Sequence, residues 1–98
     1  MSLFLFYCLD KPGAEDVRLA TRAAHLDWAK ENIGKVLLAG PMFSEDGERF
    51  VGSIFVVEAD SLEAARAMQA TDPYVAAGLF ERVDIRPMKW VLGEGPRA

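Results

Sequence analysis

The chain has 98 residues and a mass of 10.8 kDa, the size of one domain, and its 51% hydrophobic and 27% charged content is that of a folded chain rather than a disordered one. A net charge of −4 argues against a nucleic-acid partner, and no apolar run reaches the ~20 residues of a membrane span. One cysteine and one histidine exclude an internal disulfide and a Cys/His zinc site within one subunit, so neither a metal nor a cofactor is expected.

The start, Met1-Ser2-Leu3-Phe4, has no positive n-region and does not read as a signal peptide, so a cytoplasmic location is expected. Leu3 to Leu9 is an unbroken apolar run closed by the turn Asp10-Lys11-Pro12-Gly13, which favours a strand. Along it Leu3, Leu5 and Tyr7 share one face, and Phe4, Phe6 and Cys8 the other. Both faces are apolar, so both are expected to be buried. Ala14 to Asn32 contains no Gly or Pro and opens on Glu15 and Asp16, which suits a helix and its dipole. Val17, Ala20, Ala24 and Trp28 form one stripe of that helix, with Leu19, Leu26 and Ile33 nearly opposite.

Val36 to Phe43 reads as a strand broken at Gly40-Pro41. Asp46-Gly47 signals a hairpin. Phe50 to Glu58 is the next strand, with Gly52 as a bulge or a close-approach position. Asp60 with Glu63 reads as a capping box for a helix over Ser61 to Ala70, carrying Leu62, Ala65 and Met68 inward. Asp72-Pro73 starts one more turn, ending at Gly78. Phe80 to Val91 is the last strand, with Pro87 marking a bend or an unpaired edge. Residues 93–98 read as a frayed tail. The order βαββαβ is an α+β, ferredoxin-like unit: one domain, residues 1–98, with two helices on one face of a four-stranded antiparallel sheet. The apolar second face needs a cover, most simply a second copy of the same sheet.

Arg18, Arg22 and His25 follow one side of the first helix. His25 is either a histidine on a solvated basic surface or a general acid or base, since its ordinary pKa of ~6.5 suits proton transfer at neutral pH. Asp72 before Pro73 is a helix cap that can keep an oxygen for a neighbour. Gly40 and Pro41 bring backbone close to something, or simply bulge. Ser53, on a nearly apolar strand, needs a partner if buried. Trp28 and Trp90 read as core or as a ligand platform, and Cys8 as a small buried hydrophobe. There is no serine–histidine–acid triad, no phosphate loop and no paired-histidine metal motif.

Arg22-x-x-His25-Leu26, Leu38-Ala39-Gly40-Pro41, Gly52-Ser53, Asp72-Pro73-Tyr74 and Ala77-Gly78-Leu79, in this order, resemble the YCII-related family over about Leu3 to Trp90. The resemblance implies a dimeric α/β barrel, a homodimer paired through its sheet faces, with His25 and Asp72 as a catalytic pair. One branch of that family resembles a dehydrochlorinase acting on a chlorinated hydroxyquinol. The resulting expectation is a cofactor-independent enzyme of lyase or isomerase type. In it Arg22, Gly40, Pro41, Ser53 and Tyr74 contact a small, partly apolar molecule. The alternatives are a non-catalytic dimeric binding module and a cofactor-free oxygenase.

Overall fold

Alternation along the first strand sets the architecture. The computed structural model describes residues 2–94, and in it β1 (Ser2–Asp10) buries Phe4, Phe6, Cys8 and Asp10. Leu3, Leu5 and Leu9, of opposite parity, are half-buried, and Tyr7 is exposed. The other elements are α1 (Glu15–Glu31), β2 (Val36–Phe43), β3 (Phe50–Ala59), α2 (Leu62–Ala70), the single turn α3 (Pro73–Ala76) and β4 (Phe80–Met88). The sheet order is β2-β3-β1-β4, with every neighbour antiparallel. This is the expected α+β ferredoxin-like unit.

Register decides which residues share a face. Phe6 pairs with Phe55 and Ile85, and Cys8 with Ser53 and Val83. The core on the helix side therefore gathers Phe4, Phe6, Cys8, Phe55 and Val57 from the sheet with Trp28 of α1 and Ala65 of α2. On the other face Leu5 pairs with Val56 and Tyr7 with Ile54, while β4 contributes Asp84 and Arg86 opposite Tyr7 and Leu5. The expectation that both faces are buried holds within the subunit for the helix side alone, because among the described residues no element crosses the other side.

Several local expectations are corrected. β2 is continuous through Gly40-Pro41. It lies at the edge of the sheet, and an edge strand tolerates a proline because one side of its backbone has no ladder to join. The cap of α2 is Ser61 rather than Asp60: Ser61 is extended and its Oγ accepts from Ala64 N at 3.0 Å. Glu63 then sits one position too early for a capping box, which needs the acid three residues after the cap. β4 ends at Met88 rather than Val91. Of the expected tail, Gly93 and Glu94 lie outside any element, and residues 95–98 lie outside the described ones.

The largest correction concerns α1. Its inward stripe is Arg18, Thr21, His25 and Trp28, while Val17, Ala20 and Ala24 face outward. Only Trp28 of the expected apolar stripe is buried. The helix is turned so that a polar row, spaced by three and four residues, lies on the sheet.

Gly52 is a glycine because the backbone of β1 leaves no room there for a side chain. A Cβ there would overlap the carbonyl oxygen of Cys8 and come within 2.6 Å of Met42 Cε. The thioether end can move, but the neighbouring backbone of β1 cannot. Gly52→Ala is therefore expected to lower stability by about 1–3 kcal/mol, the usual cost of overpacking. Urea unfolding followed by circular dichroism measures it.

Candidate active site

The local sequence around Asp72 builds the first half of the site. Asp72 is extended, and Pro73 supplies the preset φ of a helix start. The Asp72 Oδ1 atom accepts from Tyr74 N at 3.0 Å, capping α3. The same oxygen lies 2.8 Å from His25 Nδ1. The His25 side chain is 12% exposed and that of Asp72 1%, so His25 is no surface histidine. A carboxylate only accepts, so Nδ1 carries a proton and Nε2 is the nitrogen left for a ligand. The imidazole stacks on Tyr74, with centroids 4.1 Å apart and planes 16° from parallel. It meets the Phe55 ring at 5.8 Å, edge to face. One turn further along α1, Trp28 Nε1 donates to Thr71 Oγ1 at 2.8 Å, fastening α1 to the residue before Asp72.

The second half is centred on Arg18, which the sequence reading left on a solvated basic side. It is buried. Its Nε donates to Asp10 Oδ2 at 2.7 Å, and its Nη2 to Asp10 Oδ1 at 2.8 Å and to Ser53 Oγ at 2.9 Å. Its guanidinium carbon lies 4.9 Å from the Tyr74 ring centroid. Burial works against the charged guanidinium, but the hydrogen bonds and charge of Asp10, aided by Tyr74, hold its pKa above the ordinary arginine value. The signal for this pair lay in strand parity: Asp10 has the parity of Phe4, Phe6 and Cys8, and a carboxylate on a buried face requires a cation. For Tyr74, burial is the main cause of a raised hydroxyl pKa, with Asp72 and Asp10 adding to it against Arg18 and Arg22. The phenol is therefore held in its protonated, donating form.

Between α1 and the β2–β3 side of the sheet lies a cleft of about 230 Å³. Of the expected contact residues, Arg22, Gly40, Pro41, Ser53 and Tyr74 all line it, together with His25. Asp72 does not reach the cleft wall; it lies behind the imidazole. Arg18 lines the cleft too, and Leu19, Leu26, Phe50 and Phe55 make its apolar surface. Among the described residues, no group of three or more His, Cys, Asp or Glu side chains is placed to hold a metal ion. Nor is any helix among them long and apolar enough to cross a membrane.

The same arrangement of elements and residues can be set beside known proteins. The model of the YCII-related domain matches residues 2–89. This chain belongs to the YCII-related family. Protein YciI of Escherichia coli O6:H1 is 41% identical over 97 residues, covering 92% of this chain and 99% of that protein. An uncharacterised protein of Haemophilus influenzae is 34% identical over 96 residues, covering 91% and 98%. Among solved structures, the 5-chloro-2-hydroxyhydroquinone dehydrochlorinase TftG of Burkholderia phenoliruptrix AC1100, in complex with 2,5-dihydroxybenzoquinone, superposes with a TM-score of 0.80 at 31% identity. That match covers 94% of this chain and 96% of the other.

Behind the cleft, this YCII-related chain buries a third chemical group. Cys8 is fully buried, and burial, followed by the charges of Asp72 and Asp10, pushes its thiol pKa up to about 12 against the lowering influence of the neighbouring Gln69 amide. The thiol is neutral at neutral pH and is a core side chain. Ellman's reagent at pH 8 is expected to leave the native protein unmodified and to titrate one thiol after unfolding in urea. The thiol of the unfolded chain ionises from about 9.0, whereas the folded one holds its proton to about 12. The unfolded state thus binds fewer protons across that window, and the Cys8 contribution to stability falls as pH rises through it. A Cys8→Ala variant should show a shallower decline in urea midpoint above pH 9.

Proposed function

We propose that this protein is a cofactor-independent enzyme of lyase or isomerase type, related in chemistry to a dehydrochlorinase, that moves protons on a small hydroxylated ring. The observation that carries this reading is an imidazole clamped through Nδ1 by Asp72 at the wall of a cleft with apolar sides. An acid behind a histidine fixes the tautomer and stabilises the imidazolium that forms when the other nitrogen takes a proton. The resemblance to TftG, named a dehydrochlorinase and bound to a dihydroxybenzoquinone, supports a ring substrate.

For a chlorinated hydroquinol the chemistry balances without an external oxidant. A proton moves from a ring hydroxyl to the chlorine-bearing carbon, giving the keto tautomer. A second hydroxyl proton then leaves as the carbon–chlorine bond breaks with its electron pair, so chloride departs and a quinone remains. The ring is oxidised by two electrons and the carbon–chlorine carbon is reduced to C–H. Both steps are proton transfers, which one imidazole that accepts and returns a proton performs. Tyr74 and Ser53, as donors in the cleft, hold ring oxygens, and Phe50 and Phe55 take the ring faces. The Arg22 side chain supplies positive charge at the rim.

The same reading takes the active form as a cytoplasmic homodimer paired through the second sheet face. Leu5, Tyr7 and Ile54 form an apolar stretch there that a partner sheet covers. Pairing on that face is expected to bury at least the ~1,600 Å² of a standard interface.

Chloride release from a chlorinated hydroquinol, measured without oxygen, tests the activity. His25→Gln is expected to lower kcat by about 10²–10⁴-fold, the range for a general acid–base residue. Asp72→Ala should lower activity as well and lose about 0.5–2 kcal/mol of stability with the cap. Binding of the quinol with no release of chloride or proton by the wild type would instead make the protein a binding module. Light scattering is expected to give twice 10.8 kDa for the wild type and a smaller species for Ile54→Asp, whose charge faces the proposed interface.

A further inference from the structure

A buried arginine held by a buried aspartate is an expensive way to fasten a helix, because a well-packed apolar pair of similar volume is often as stable or more so. The geometry of Arg18 explains what the pair is for. The three hydrogen bonds that hold the guanidinium use only Nε and Nη2. One face of the plane lies against Tyr74, and the Phe50 ring is 5.9 Å away. What these contacts leave open is the in-plane edge at Nη1, and Arg18 is at the cleft wall. Ser53 Oγ accepts from Nη2, so its own hydrogen is free to donate, and Ser53 lines the same cleft. Tyr74 also supports the guanidinium, and the Nη1 edge and the Ser53 hydroxyl are the donors at this wall that the Asp10 pairing does not use. Asp10 offsets the charge of Arg18, and Arg22 beside them leaves this wall positive. His25 stands two helical turns along the same helix face, with Tyr74 touching both.

We infer that Arg18 is the specificity-determining residue of the cleft: a fixed donor that, with Ser53, takes an anionic ring oxygen, phenolate or enolate, of the ligand. Asp10 is its positioning residue, since the two-pronged pairing fixes the plane of the guanidinium and therefore the direction of Nη1. This inference rests on the reading of the cleft as the ligand site, and it concerns binding, whereas the proton transfer assigned to His25 is read by turnover.

The test is a pair of direct binding titrations by calorimetry at neutral pH. One probe is 2,5-dihydroxybenzoquinone, which is ionised there; the other is its 2,5-dimethoxy ether, with the same ring and no acidic oxygen. The wild type is expected to bind the anion at least tenfold more tightly than the ether. Arg18→Lys keeps the charge and loses the planar fork; it is expected to weaken the anion at least tenfold and to change the ether by less than twofold. Asp10→Asn is expected to shift binding in the same direction by a smaller factor. If Arg18→Lys does not fold, the double variant Asp10→Asn/Arg18→Gln replaces the ion pair by an amide pair, and it should bind both probes alike. Unchanged preference for the anion in a folded Arg18 variant overturns the inference, as does a wild type that binds neither probe or does not distinguish them. Loss of turnover in His25→Gln with this preference intact separates the two roles.

Discussion

One carboxylate oxygen organises this protein. Asp72 Oδ1 accepts from the backbone of Tyr74 and from the imidazole of His25, so the group that starts α3 is also the group that aims the histidine. Pro73 and the extended backbone of Asp72 fix where that oxygen lies before any partner arrives. The Tyr74 ring, placed by the same turn, becomes the surface on which His25 stacks. The hydrogen bond from Trp28 to Thr71 holds α1 one residue upstream of Asp72. The imidazole is therefore fixed in tautomer, tilt and distance by a helix start that the fold needs anyway. Groups positioned on regular elements in this way keep their geometry better than groups on free loops.

Laying a polar row against a sheet has consequences. Arg18 and His25 are separated by seven residues, about 10 Å along the axis at 1.5 Å per residue, and each brings an acid from another element: Asp10 from β1 and Asp72 from the start of α3. Breaking the buried Arg18–Asp10 pair from one side leaves a charge without its partner, the kind of loss that costs about 3–5 kcal/mol. These contacts select the rotation of α1 on the sheet more sharply than its alanines could. Ala20 and Ala24 would bury little surface in either orientation. The two acids instead accept only the orientation in which Arg18 and His25 face inward.

That competition is why the sequence was readable in its elements and less so in its site. Turn signals at Asp10-Lys11-Pro12-Gly13, Asp46-Gly47 and Asp72-Pro73 are local, and the strands and helices fell where they indicate. The inward face of α1 was misread because counting apolar residues picks Val17, Ala20 and Ala24, and the acids that outweigh them are distant in sequence. His25 and Asp72 are 47 residues apart; no spacing rule joins them, and their pairing came from resemblance to a family. Asp10 was different. Its strand parity already placed it among Phe4, Phe6 and Cys8, and Arg18 is the cation one turn into the next helix. Ser61 against Asp60 is a contest between two good caps one residue apart, won by Ser61, whose Oγ accepts from Ala64 N.

The division of labour between the two faces of the sheet follows from the same economy of space. Phe50 joins the cleft from the start of β3, beyond a shift of register, while Ser53 and Phe55 of β3, which line the cleft, and Asp10 of β1, which holds Arg18, have the parity of the helix side. Polar pairs and an open cleft occupy area there that another small domain would fill with aliphatic side chains. The apolar surface not used on that side appears on the other, in Leu3, Leu5, Tyr7 and Ile54. Burial is worth roughly 25 cal/mol per Å² wherever it occurs, so covering the second face stabilises the same strands that hold the site without placing any atom in the cleft. A partner on that face would thus stiffen the floor of the cleft from beneath. Because strand residues alternate, substitutions of one parity act on the open face and those of the other on the core beneath the cleft.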